Sequence, residues 1–125
     1  MAEEEMADTG STARPAGLSV VSTAADGIRV LTLAGEIDRD TGQTLRQALD
    51  AFGTPRPRIV VDLSRVTFMD STGINILIAA HRSLTEAGGW IRLAAPTEAV
   101  LRVLQIVGVD TVIACRETLR QALSV

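Results

Sequence analysis

A chain of 125 residues, 46% of them hydrophobic, has room for one α/β domain around one core and not for two. Its aromatic residues are confined to Phe52, Phe68 and Trp90, which leaves no stacking platform for single-stranded nucleic acid. The formal charge of −3 arises before residue 18, where Glu3, Glu4, Glu5 and Asp8 outweigh Arg14; eleven acids and eleven arginines follow, so no basic surplus serves a phosphate backbone or an anionic membrane.

Cys115 is the single cysteine, which excludes an internal disulfide framework and suits a reducing compartment. No window approaches the ~20 apolar residues of a membrane span, and the acidic N-terminal stretch lacks the cationic and apolar regions of a signal peptide. A cytoplasmic protein is therefore expected. Every base is arginine, and scattered arginines are expected to be solvated.

Residues 1–17 are small and acidic, follow neither a helical nor a strand period, and read as a disordered tail ahead of a folded domain over 18–125. Leu18 to Thr23 and Ile28 to Ala34 are rich in β-branched residues around Asp26-Gly27, a two-residue hairpin signal. Thr41 is a candidate cap for a helix whose Leu45, Ala48, Leu49 and Phe52 follow the i, i+3, i+4, i+7 spacing of one face. Gly53, Pro55 and Pro57 end it. A strand over Ile59 to Leu63 comes next, then a turn at Asp70 to Gly73 and a helix from about Thr72 to Ala87, stopped by Gly88-Gly89. Trp90 to Ala94 reads as a strand. Pro96-Thr97 opens a third helix with a Val100, Val103, Leu104, Val107 stripe, which Gly108 closes. Val112-Ile113 suggests a short edge strand, and Leu119, Ala122 and Leu123 a last helix. The order β-β-α-β-α-β-α-(β)-α implies a mixed sheet of four to five strands with about four helices packed on it.

The stretch from Ile59 to Ile74 organises the chain. It runs from a β-branched strand through a polar crossing to Asp70-Ser71-Thr72-Gly73, and then at once into an apolar helix. Small polar residues ahead of a helix supply oxygens to its orphan N–H groups, and its dipole favours negative charge there. Three such residues exceed what one cap needs, and Gly73 is expected to leave the backbone open to a visitor. Ser71 is accordingly a candidate phosphorylation switch. It lacks what a nucleophile requires, because His81, the single histidine, is ten residues on and ~15 Å along the same helix. Gly-x-Ser-x-Gly and glycine-rich phosphate loops are absent. Asp62 at a strand end has no acidic partners on the first strand, and Glu36, Asp38, Asp40 and Asp70 show no metal-specific spacing. Asp38 and Ser71 both lie where a strand hands over to a helix, so they are expected to share one rim of the sheet.

The segments Leu33-Ala34-Gly35-Glu36-Ile37-Asp38, Val61 to Gly73 with its Phe68-Met69-Asp70-Ser71-Thr72-Gly73 core, and Gly88-Gly89 resemble the STAS domains of bacterial anti-sigma factor antagonists over residues 18 to 123. The resemblance implies a partner switch without catalysis or cofactor of its own. An anti-sigma factor with serine kinase activity would phosphorylate Ser71, and a PP2C-type phosphatase would reverse this. The unphosphorylated form would bind the anti-sigma factor and free a sigma factor. Asp38, Phe68, Met69, Asp70, Ser71, Thr72 and Gly73 form the expected docking surface, with Phe68 and Met69 equally compatible with core packing. Thr72 stands where serine is also common in such motifs. The alternative is a STAS scaffold that acts without phosphorylation, as a subunit of a larger signalling or lipid-transport complex.

Overall fold

Residues 17–124 are described by a computed structural model; of the tail expected over residues 1–17, all but Gly17 lies outside the described residues. β-Branched residues on either side of Asp26-Gly27 form the predicted hairpin. Its strands β1 (Leu18–Ala25) and β2 (Ile28–Ile37) pair antiparallel from Leu18↔Gly35 to Ala25↔Ile28. Asp26 and Gly27 both take positive φ, 54° and 80°, the pair of left-handed residues whose twist matches that of the flanking strands.

The chain continues through α1 (Gly42–Ala48), β3 (Arg58–Met69), α2 (Ser71–Glu86), β4 (Trp90–Ala94), α3 (Glu98–Ile106), a 3-10 turn (Val109–Thr111), β5 (Ala114–Arg116) and α4 (Leu119–Leu123). The five strands form one sheet in chain order, antiparallel between β1 and β2 and parallel thereafter. Alternation along β3 divides the core. Ile59, Val61 and Leu63 join Leu31, Leu33, Ile91 and Leu93 in one cluster with Leu45, Leu77, Leu84 and Leu104 from α1, α2 and α3. Val60 points the other way, to a smaller cluster with Ile28, Ala94 and Ala122 of α4, against which Trp90, Leu119 and Leu123 pack.

Four expectations are corrected. The polar crossing after Leu63 is strand: β3 runs twelve residues to Met69. Its register with β2 slips between Thr32 and Ala34 and again between Gly35 and Glu36, each slip taking up one extra β3 residue. The Asp62 carboxylate accepts the Ser64 amide at 2.9 Å, and the Thr67 hydroxyl donates to the Gly35 carbonyl at 3.2 Å. The two bulges reset the alternation, so Leu63, Val66 and Met69 are all buried at a spacing of three.

Phe52 does not continue the face of α1. That helix ends at Ala48, Asp50 accepts the Phe52 amide at 3.0 Å in a local turn, and the Phe52 ring is 96% exposed. The edge strand is Ala114–Arg116 rather than Val112-Ile113. Gly108 at φ 79° leads into the 3-10 turn, which buries Val109 and Ile113 and delays pairing until Ala114 lies beside Arg92.

Two arginines are structural rather than merely solvated. Arg29 donates to the carbonyls of Ala48 (2.9 Å) and Asp50 (3.0 Å) at the end of α1. Arg92 donates to those of Ala122 (2.9 Å) and Ser124 (2.8 Å) at the end of α4, its guanidinium 3.7 Å from the Trp90 ring centroid. Both satisfy carbonyls that a helix end leaves unpaired.

Candidate functional site

The carboxyl ends of β2 and β3 lie side by side, with Ile37 paired to Met69, and each strand passes to a helix within a few residues. The Asp70 amide donates to the Ile37 carbonyl at 3.2 Å, which fixes where β3 stops. Asp70, in extended conformation, is the N-cap of α2, and its carboxylate accepts the Thr72 amide at 2.9 Å. Of the three cap-competent residues, Asp70 alone takes that role. Ser71 follows as the first helical residue, exposed, its hydroxyl without a hydrogen bond to another described residue.

The neighbouring β2–α1 loop is held by a second knot. The Asp38 carboxylate accepts the amides of Asp40 (2.9 Å) and Thr41 (3.1 Å), while the Thr41 hydroxyl accepts the Asp38 amide (2.9 Å) and donates to the Glu36 carbonyl (2.9 Å). Thr41 occupies the N-cap position of α1 but makes no side-chain cap bond; its hydroxyl is buried in the loop. The cap expected of Thr41 is therefore replaced by the Asp38 turn upstream of it.

Two glycines bring these loops together. A Cβ on Gly42 would stand 3.0 Å from Cγ2 of Thr72 and 3.2 Å from Cδ1 of Ile76, so the starts of α1 and α2 are in contact. A Cβ on Gly73 would stand 2.7 Å from Cγ2 of Ile37 and 2.8 Å from Cγ of Met69. Gly73 thus seats the first turn of α2 on the ends of β2 and β3, rather than opening the backbone to a visitor as the sequence suggests.

The residues expected at the docking surface divide accordingly. Asp38, Asp70 and Thr72 line one open depression of about 400 Å³ with Arg39 and Asp40, and Ser71 is exposed beside Asp70 and Thr72. Phe68, 48% exposed, adds apolar surface one residue before Met69 on the same strand. Met69 and Gly73 face inward, Met69 only 3% exposed, so neither offers its side to a partner. The β4–α3 loop is tied to β3 three residues before Met69. The Thr97 hydroxyl caps α3 by accepting the Val100 amide (3.4 Å) and donates to the Val66 carbonyl (2.9 Å), while Ala95 sits at φ 52°.

The arrangement is equipped to present a hydroxyl, not to activate it. His81 lies ten residues along α2 from Ser71, ~15 Å of helical rise. Burial, with a smaller contribution from Asp110, pushes the Cys115 thiol up, away from the thiolate a nucleophile needs. Among the described residues no group of three or more His, Cys, Asp and Glu side chains is placed to hold a metal ion. A phosphate on Ser71 would stand at the positive end of a 16-residue helix, in solvent, and would add about −1.5 to −2 charge next to Asp70 and the Asp38 loop.

The family model described as "Mlab, STAS domain" matches residues 21–120. The anti-sigma-F factor antagonist RsfB of Mycobacterium tuberculosis is 31% identical over 109 residues, 85% of this chain and 88% of that protein. The anti-sigma-B factor antagonist of Listeria monocytogenes is 29% identical over 82 residues, 65% of this chain and 72% of that protein. An anti-sigma factor antagonist from Mycobacterium paratuberculosis superposes with a TM-score of 0.79 at 32% identity, covering 90% of this chain and 96% of the other. The fold and rim define a STAS domain. The chain belongs to the STAS-domain family of anti-sigma factor antagonists, regulatory proteins rather than enzymes.

Proposed function

We propose that this chain is a phosphorylation-controlled partner switch. Unphosphorylated, it binds an anti-sigma factor that is also a serine kinase, and so releases a sigma factor. Phosphorylation of Ser71 by that partner breaks the complex, and a PP2C-type phosphatase restores it. The chain binds no nucleic acid directly and acts in the cytoplasm; no helix among the described residues is long and apolar enough to cross a membrane.

The observation that carries this reading is the Ser71 hydroxyl, exposed and without a hydrogen bond to another described residue at the first turn of α2, beside carboxylates that already occupy the rim. A kinase needs such a hydroxyl free to enter its own active site. The phosphate costs the fold little, because the helix start tolerates negative charge. The cost falls on the complex, where a closed interface would have to enclose a dianion among Asp38, Asp40 and Asp70. The experiment is to incubate the purified chain with the cognate anti-sigma factor and ATP and to locate the modification by mass spectrometry. The reading requires a single phosphate on Ser71, absent from Ser71→Ala. Modification elsewhere, or none, sinks it.

A further inference from the structure

We infer that the arginine-lined depression at the start of β3 binds the phosphate group of a small soluble organic phosphate, whose apolar body lies in the adjoining groove between α1 and α2. Pro55 and Pro57 frame Arg56 in the turn that enters β3, and Arg56 takes φ 46°, a left-handed conformation for which glycine is the usual occupant. A long cationic side chain is thus kept there against the preference of the backbone. Its stem lies just past the end of α2, where a Cβ on Gly88 would stand 3.3 Å from its Cγ. The Arg58 guanidinium reaches over the hairpin turn, its Nη2 3.4 Å from the Asp26 carbonyl. Arg29 is held by the Ala48 and Asp50 carbonyls. These three arginines line one depression of about 140 Å³ with Gly27, Thr54 and Ile59, and no acidic residue among the described ones lines it. Asp26 and Asp50 meet the arginines through their backbone carbonyls, while the Asp50 carboxylate accepts the Phe52 amide.

The occupant follows from charge and shape. Three guanidinium groups without a facing carboxylate repel one another, and an oxyanion relieves that repulsion. Forks arriving from β2, from the turn and from β3 match the several oxygens of a tetrahedral phosphate better than the two of a planar carboxylate. The depression alone is too small for a whole ligand. Its Thr54 and Pro57 also border a groove of about 650 Å³, within the range of small-molecule sites. Leu49, Ala80 and Leu84 line that groove, as does Phe52, whose ring is 96% exposed. An apolar body joined to a phosphate fills both at once. Acids and arginines balance from residue 18 onward, so nothing draws the chain as a whole to an anionic membrane, and the ester is a soluble one. Arg58 opens β3 and Met69 ends it about 35 Å further along the strand, which separates this site from the Ser71 rim.

Calorimetric titration of the full chain with 1-naphthyl phosphate, inorganic phosphate and 1-naphthol is the test. The ester binds one-to-one, roughly tenfold or more tightly than either inorganic phosphate or 1-naphthol, and more weakly at high salt. Arg56→Gln and Arg58→Gln each stay folded by circular dichroism, weaken the ester by roughly tenfold and leave 1-naphthol within about twofold. Phe52→Ala weakens the ester and leaves inorganic phosphate unaltered. Arg102→Gln, which removes the same charge from α3, binds the ester like wild type. No binding of 1-naphthyl phosphate at millimolar concentration would overturn the inference, as would Arg56 and Arg58 variants that bind it like wild type, or inorganic phosphate that binds as tightly as the ester. Co-sedimentation with vesicles of phosphatidic acid and phosphatidylcholine, lost in Arg56→Gln, would overturn the soluble occupant.

Discussion

The Asp70 amide donates to the Ile37 carbonyl at 3.2 Å, so the residue that caps α2 is also the one that ties β3 to its neighbour at the rim. One position thereby sets both where the strand stops and where Ser71 begins its helix. The rim is a mount held by that backbone bond and by the Asp38, Thr41 and Asp70 side chains, and the Ser71 hydroxyl on it makes no hydrogen bond to another described residue.

Removing the cap tests that mount. Asp70→Ala leaves the Thr72 amide without its partner and should cost about 1 kcal/mol of stability, whereas Asp70→Asn, an equally good cap, should cost only a few tenths. Chemical denaturation of the three proteins separates these outcomes. If alanine and asparagine were equally destabilising, the carboxylate charge rather than the cap bond would matter.

Gly73→Ala discriminates between packing and openness. A helix-interior alanine is worth up to ~1 kcal/mol over glycine, yet here its Cβ would meet Ile37 and Met69 at under 3 Å. Overpacking of that kind costs roughly 1–3 kcal/mol, so the variant should be less stable than wild type by urea titration. A gain in stability would mean that the first turn of α2 is not wedged against the strand ends.

Thr97→Val keeps the shape of the side chain and loses both the α3 cap and the bond to the Val66 carbonyl. A loss of roughly 1–3 kcal/mol is expected, because the Val66 carbonyl is left without that donor in a part-buried setting. Hydrogen exchange in the first turn of α3 should speed up before that in α2.

The Cys115 thiol gives the fold an alkaline limit. Its pKa is raised from 9.0 chiefly by burial, so the folded state holds the proton longer than the unfolded state. Stability from this group is complete below the unfolded pKa and is lost as pH rises through the folded one. Urea midpoints should therefore fall above pH ~9, and Cys115→Ala should flatten that decline. A variant that declines as steeply as wild type would assign the loss to other groups.

Much of this architecture can be read from residue order because local and tertiary preferences agree. Asp26-Gly27 demands a left-handed pair and receives one; Trp90 to Ala94 is strand in both readings; Thr97 caps where Pro96 announces a helix. Legibility fails where a backbone irregularity breaks the period. Leu63, Val66 and Met69 are three apart, which is no strand period, and only the bulges at Asp62–Ser64 and Thr67 make them one buried row. Met69, compatible in sequence with either a partner contact or the core, is core. Phe52 sits at a helical spacing from Leu45, but Arg29, distant in sequence, collects the Ala48 and Asp50 carbonyls where the helix has already stopped. Of the candidate site, the shared placement of Ser71, Asp70 and Asp38 at one rim was legible from the strand-to-helix handover. Gly42 against Thr72 was not, since nothing in a single chain of letters states which two helix starts touch.

Calorimetric titration of the cognate anti-sigma factor with the chain, unphosphorylated and phosphorylated on Ser71, bears most directly on the switch. A loss of affinity of roughly a hundredfold or more is expected on phosphorylation, with circular dichroism and thermal midpoint unchanged within a few degrees. Equal affinity of the two forms, or a phosphorylated chain that no longer folds, would contradict it.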